Sequence, residues 1–166
     1  ANREFTTAVT RFRSALSRDD RYVPAWRGLV DAELGSGNTD EAIAALERLL
    51  AQDDTQEGDR SRLELLRLKQ VQALVEAGVR ARDAGRLDEA DRILTRALVL
   101  SPRSPVVLRE LSQLEVGLGQ LDEAEMHARR AVEIDPTDAG AYGTLASVLQ
   151  ARGRLRDAKS RIHASL

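Results

Sequence analysis

Gly85-Arg86-Leu87-Asp88-Glu89-Ala90 decides the architecture, because it returns as Gly119-Gln120-Leu121-Asp122-Glu123-Ala124 and again as Gly153-Arg154-Leu155-Arg156-Asp157-Ala158. The step from Gly85 to Gly119 equals that from Gly119 to Gly153, and Pro102 and Pro136 keep it. A fixed period of this length marks one supersecondary unit copied along a chain, each copy burying its apolar face against its neighbours. Function is therefore sought on a surface built by repetition rather than in a catalytic motif.

Around that stretch the apolar residues recur at three- and four-residue spacings, which predicts helices. They run over Leu87 to Leu100, Ser104-Pro105 to Leu118, Leu121 to Ile134, Asp138 to Arg152 and Leu155 to Leu166. Gly85, Gly119 and Gly153 stand where a helix must stop, since glycine takes the left-handed cap conformation without steric cost. Asp88-Glu89 and Asp122-Glu123 fall in the first turns that follow, suited to the positive end of the helix dipole. Toward the N-terminus, Trp26, Leu29, Val30 and Glu33 share one side of a helix opened by Pro24 and closed by Gly35-Ser36-Gly37-Asn38, and a second helix spans Asp40 to Ala51. Phe5, Ala8, Val9, Phe12, Ala15 and Leu16 mark a helix over Glu4 to Leu16. Ala8 precedes Ala42 by the same step, so this helix is in phase as the second of a pair and the chain opens in mid-unit.

One interval breaks the step: Ala42 to Ala90 overshoots it by roughly 14 residues, about four helical turns. An insert over about 54–67 is expected to lengthen the next helix. Ser61-Arg62-Leu63-Glu64 has the form of a capping box, predicting a helix from there to near Ala84, roughly 24 residues or about 36 Å long. Its first third is expected to project past its neighbours. Leu63, Leu65 and Leu66 would then be wet unless another element or another chain covers them, and with a chain as the cover they are the candidate self-association residues.

Composition narrows the function classes. Lys+Arg 25 against Asp+Glu 27 gives a formal charge of -2, with no global field to attract a polyanion, and 3% aromatics is too few for base-stacking platforms. Nucleic acid is not expected as a partner, nor is membrane insertion, since no apolar run approaches spanning length. The chain has no cysteine, which suits reducing and oxidising compartments alike and leaves localisation open between the cytoplasm, slightly favoured, and a periplasmic or membrane-tethered fragment. No cofactor, metal or catalytic residue is expected. His127 and His163 each stand without a neighbouring acid–nucleophile set and read as surface histidines. Gly117-Leu118-Gly119 is a helix stop rather than a phosphate cradle. Asp53 to Glu64 is loosely like a calcium loop, but Thr55 is a poor third ligand and Ser61 with Glu64 is better explained by capping.

The chain resembles the tetratricopeptide repeat family. Trp26, Leu74, Leu108 and Tyr142 fill its aromatic slot, Leu29, Ala77, Leu111 and Leu145 its leucine slot, and Val30, Gly78, Ser112 and Ala146 its small slot. Ala8, Ala42, Ala90, Ala124 and Ala158 recur at the helix crossing, and Phe12, Leu46, Leu94, Ala128 and Ile162 fill the phenylalanine slot. The tyrosine of the pattern is never supplied, Glu33, Ala81, Glu115 and Leu149 standing in its place. The resemblance implies an all-α, right-handed superhelical solenoid of antiparallel helix pairs. About four and a half repeats form one domain over 1–166: a half repeat at 1–20, then repeats at about 22–53, 68–101, 102–135 and 136–166. It also implies a concave wall, made by the first helix of each pair, that binds a peptide or helix of a partner protein.

On each first helix one stripe beside the core stripe would line that wall. It reads Pro24, Arg27, Asp31, Leu34; then Gln72, Val75, Val79, Arg82; then Val106, Arg109, Gln113, Val116; then Gly140, Gly143, Ser147, Gln150. The candidate contacts are Arg27, Asp31, Val75, Val79, Arg82, Arg109, Gln113 and Ser147. They suit a partner with apolar anchors and an acid near Arg82 or Arg109, with room at Gly140 and Gly143 for a bulky residue. The basic clamp of co-chaperone repeats is not matched, because Gly28, Asp31, Val75, Glu76 and Glu110 occupy its positions. The expectation is a non-enzymatic interaction scaffold; the alternative is a self-assembly or spacer module of a larger bacterial-type protein, joined through the lengthened helix or the uncapped ends.

Overall fold

The computed structural model describes residues 2–52 and 56–164, with side chains over 3–52 and 56–156. It is all-α: α1 (Asn2–Leu16), α2 (Val23–Gly35), α3 (Thr39–Gln52), α4 (Glu57–Asp83), α5 (Leu87–Leu100), α6 (Pro105–Leu118), α7 (Leu121–Ile134) and α8 (Ala139–Ala164). Consecutive helices pack as antiparallel pairs of tetratricopeptide type.

The hairpin turns share one physical device. Gly37, Gly85 and Gly119 have φ of 82°, 75° and 77°. That conformation lets the next residue's N–H return to the last helical turn: Asn38 N to Glu33 O at 2.9 Å, Arg86 N to Ala81 O at 2.9 Å, Gln120 N to Glu115 O at 2.8 Å. Pro105 opens α6 behind Ser104, whose hydroxyl accepts from Val107 N. The crossing residues Ala42, Ala90 and Ala124 are fully buried, as close helix contact requires.

The chain divides into two compact units, Ala1–Gln70 and Val71–Leu166, with the boundary inside α4. The first unit's core joins Trp26, Leu29, Val30, Ile43, Leu46 and Leu49. The second unit is built on Ala81, Ala90, Leu94, Val107, Leu111 and Leu114, extended by Ala124, Ala128 and Val148 around α7 and α8.

The sequence reading is corrected at four points. α4 starts at Glu57, ahead of the suggested capping box, so Ser61 and Glu64 lie inside a helix of 27 residues. The calcium-loop likeness fails over 57–64 for the same reason, while 53–55 lie outside the described residues. The leucines are not left wet together: Leu63 and Leu66 are 7% and 8% exposed within the first unit's core, and only Leu65, at 49%, faces out. Leu63 and Leu66 are three apart and share a helix face, which Leu65 does not. Ion pairs from Arg62 to Asp31 and from Arg67 to Glu47 at 2.7 Å tie this half of α4 to α2 and α3.

The last correction concerns Gly153. No separate helix begins at Leu155; α8 runs unbroken through Gly153 for 26 residues. Glycine inside a helix costs only about 1 kcal/mol. The acidic first turn that follows Gly85 and Gly119 is here Leu155-Arg156-Asp157-Ala158, with a cation where the helix dipole favours an anion.

Candidate functional site

Each unit presents its own first-helix face. In the second unit it is made by the C-terminal half of α4, by α6 and by α8, all described side chains of the expected stripe lying on those three helices. Arg82 donates from Nη1 to Glu110 Oε2 at 2.8 Å and to Gln113 Oε1 at 3.1 Å, spanning α4 to α6. Arg109 donates from Nη1 to Asp138 Oδ1 and Oδ2 at 3.1 and 3.0 Å, spanning α6 to the start of α8. Gln113 Nε2 reaches Thr144 Oγ1 at 3.5 Å. In the first unit Arg27 donates from Nη2 to Asp59 Oδ2 at 2.8 Å and to Gln56 Oε1 at 2.9 Å, and Asp31 accepts from Arg62. The hydrogen bond that Arg27 donates to Asp59 holds the Arg27 proton more tightly than usual, with the carboxylate's charge adding to it.

The stripe is therefore cross-linked by the chain's own acids. Arg82, Arg109 and their acids Glu110 and Asp138 are part-buried, so the two guanidinium groups are neutralised where a partner's carboxylate was expected. Sequence reasoning missed Asp59, Arg62, Glu110 and Asp138. The signal was present as an opposite charge somewhat short of one period downstream: 28 residues from Arg82 to Glu110 and 29 from Arg109 to Asp138. The room expected at Gly140 is also taken, because a Cβ there would run into the Arg109 guanidinium. Gly143 is open, no described heavy atom lying within 4 Å of a Cβ built on it. Beside it Ser147 is exposed, its hydroxyl donating to Gly143 O at 3.0 Å. Val75 and Val79 are half-buried and Val106 is exposed.

His127 departs from the surface histidine expected. Its Nδ1 lies 2.9 Å from both Glu115 carboxylate oxygens, and both side chains are largely buried between α6 and α7. The side chain of His163 lies outside those described. In the first unit a groove of about 730 Å³ opens between α1 and α3, lined by Leu16, Trp26, Leu29 and Ala45 with Glu33 and Arg48. It lies on the second-helix side, which periodicity did not single out. Among the described residues no His, Asp and Glu converge in a group that could hold a metal ion.

Two tetratricopeptide repeat family models match, one over residues 1–76 and 115–165, the other over 75–139. The chain belongs to the tetratricopeptide repeat family. This repeat is a non-catalytic fold and typically mediates protein–protein interactions. Among solved structures, MamA is similar at 20% identity and a TM-score of 0.47, covering 92% of this chain and 81% of its own. The second tetratricopeptide domain of human RPAP3, solved with the HSP70 peptide SGPTIEEVD, is similar at 15% identity and a TM-score of 0.45, covering 74% and 91%. A thermophilic tetratricopeptide protein of Thermus thermophilus follows at 22% and 0.43, covering 88% and 91%. No curated protein matches.

Proposed function

We propose that this tetratricopeptide repeat chain is a non-enzymatic adaptor holding an extended segment of a partner protein on the first-helix face of its second unit. The observation that carries the reading is the open surface at Gly143, flanked by exposed Ser147, with Val106 and Val79 supplying apolar surface on α6 and α4. A missing side chain on a helix face leaves a depression that an apolar anchor of a bound segment fills, with Ser147 and Gln113 as polar guides. Arg82 and Arg109 hold the floor in place rather than calling for an acid, since an incoming carboxylate would have to displace Glu110 or Asp138. The self-assembly alternative loses Leu63 and Leu66 as contacts, because the first unit covers both.

This changes the informative experiment. Reversing Arg82 and Arg109 to glutamate would set like charges against Glu110 and Asp138, disturbing fold and face together. Filling the depression does not. A peptide selected from a random library on the native chain is titrated by calorimetry into Gly143→Trp and Ser147→Trp. Affinity should fall tenfold or more in both, with helicity unchanged; equal affinity in both variants removes this face from the function.

A further inference from the structure

On the first helix of each complete pair the same stripe is covered, on α4 and α6 by contacts with that helix's own second helix. On α2 the stripe is Trp26, Val30 and Glu33; on α4 it is Leu74, Gly78 and Ala81; on α6 it is Leu108, Ser112 and Glu115, and all but half-buried Leu74 are buried. A Cβ on Gly78 would meet Leu94 of α5, Ser112 Oγ donates to Ala124 O of α7 at 2.8 Å, and Glu115 meets His127 of α7. The counterpart on α8 is Tyr142, Ala146 and Leu149, each one repeat step on from its equivalent in α6. That stripe is bare. Tyr142 is 50% and Leu149 46% exposed, against 0% for Leu108.

The helix that belongs on it is written in the same chain. Residues 155–166 repeat the register of 121–132, with Leu155 for Leu121 and Ala158 for Ala124, and the family match continues through residue 165. Over 155–164 the chain extends α8 instead of turning back. A continuous helix carries its C-terminal part away from its own N-terminal face, so this segment does not cover Tyr142 and Leu149 of its own molecule. The geometry points to a second copy of this chain as the occupant: two molecules lay residues 155–164 across each other's Tyr142–Ala146–Leu149 stripe. Each supplies the second helix the other lacks, in a reciprocal, two-fold exchange. The exchange uses the register of an ordinary repeat hairpin, and only the hinge at Gly153 differs from a folded-back chain. On the helical wheel this stripe adjoins Gly143 and Ser147, so the exchange is separated from partner binding by the insertion after Gly153, which leaves both of those residues in place.

Light scattering on the full chain over a hundredfold concentration range tests it. The expected mass is twice the 18.3 kDa of one chain. Tyr142→Glu with Leu149→Glu should give the single-chain mass with helicity retained. Inserting Gly-Ser-Gly-Ser after Gly153, which frees the segment to turn back, should also give the single-chain mass, while Gly153→Ala should keep the dimer. If the double variant does not fold, the insertion decides. A native chain that stays at 18.3 kDa throughout overturns the exchange, and so does a dimer that survives the insertion.

Discussion

Arg109 grips the first turn of α8 through Asp138, donating to both carboxylate oxygens at 3.1 and 3.0 Å while Asp138 Oδ1 accepts from Gly140 N at 2.8 Å. One carboxylate thus caps a helix and binds the preceding first helix. Asp138→Ala should lower stability by about 1–3 kcal/mol, since both a charge-assisted bond and a cap are lost. Urea unfolding measures this directly; a change within about 0.5 kcal/mol would show the pair to be an ordinary surface contact.

Glycines on the second unit's first helices divide by what faces them. Gly78→Ala should destabilise by about 1–3 kcal/mol, because its Cβ would press on fully buried Leu94 and force it to shift. Gly143→Ala meets open space and should stabilise by about 0.5–1 kcal/mol through helix propensity alone. Thermal melts of the two variants should shift in opposite directions.

Glu115 and His127 lock α6 to α7 from largely buried positions. Glu115→Ala leaves the imidazole without its carboxylate and should cost about 1–3 kcal/mol. His127→Ala in the same background should add little further loss, and a double-mutant cycle with no coupling would separate the two residues energetically.

Glu125 is held below the usual carboxylate range, first by the hydrogen bond from Arg129 and further by Arg152, against the opposing effect of desolvation. Asp135 is lowered by the Thr137 hydroxyl and backbone N–H. A carboxyl whose folded pKa is lowered contributes stability that is complete above its ordinary pKa and is lost as pH falls through the lowered one. Unfolding measured over a series of acidic pH values should therefore show a shallower acid decline for Glu125→Gln than for the native chain. Parallel declines would mean that Glu125 is paired equally in the unfolded chain.

The course of α4 shows where reading from sequence stops. An insert lengthening one helix is visible as a broken step. Which leucines it buries is not, because Leu63, Leu65 and Leu66 have the same hydrophobicity and differ only in the face they present to α2 and α3. Arg27, Arg82 and Arg109 carry the same lesson: a stripe position foretells that a side chain lies on the first-helix face. The acid that takes it up belongs to the next first helix, and its reach depends on how the two helices are packed.

The amino-acid order by itself determined the repeat, the hairpin glycines at 37, 85 and 119 and the small residues at the crossings, because each depends on local conformation or on the nearest neighbour in the chain. The tertiary structure alone decided the cross-helix ion pairs, the burial of Leu63 and Leu66, and the passage of α8 through Gly153. Those outcomes weigh contacts between distant residues against small local preferences, and a glycine that can turn or continue does whichever the surrounding packing favours.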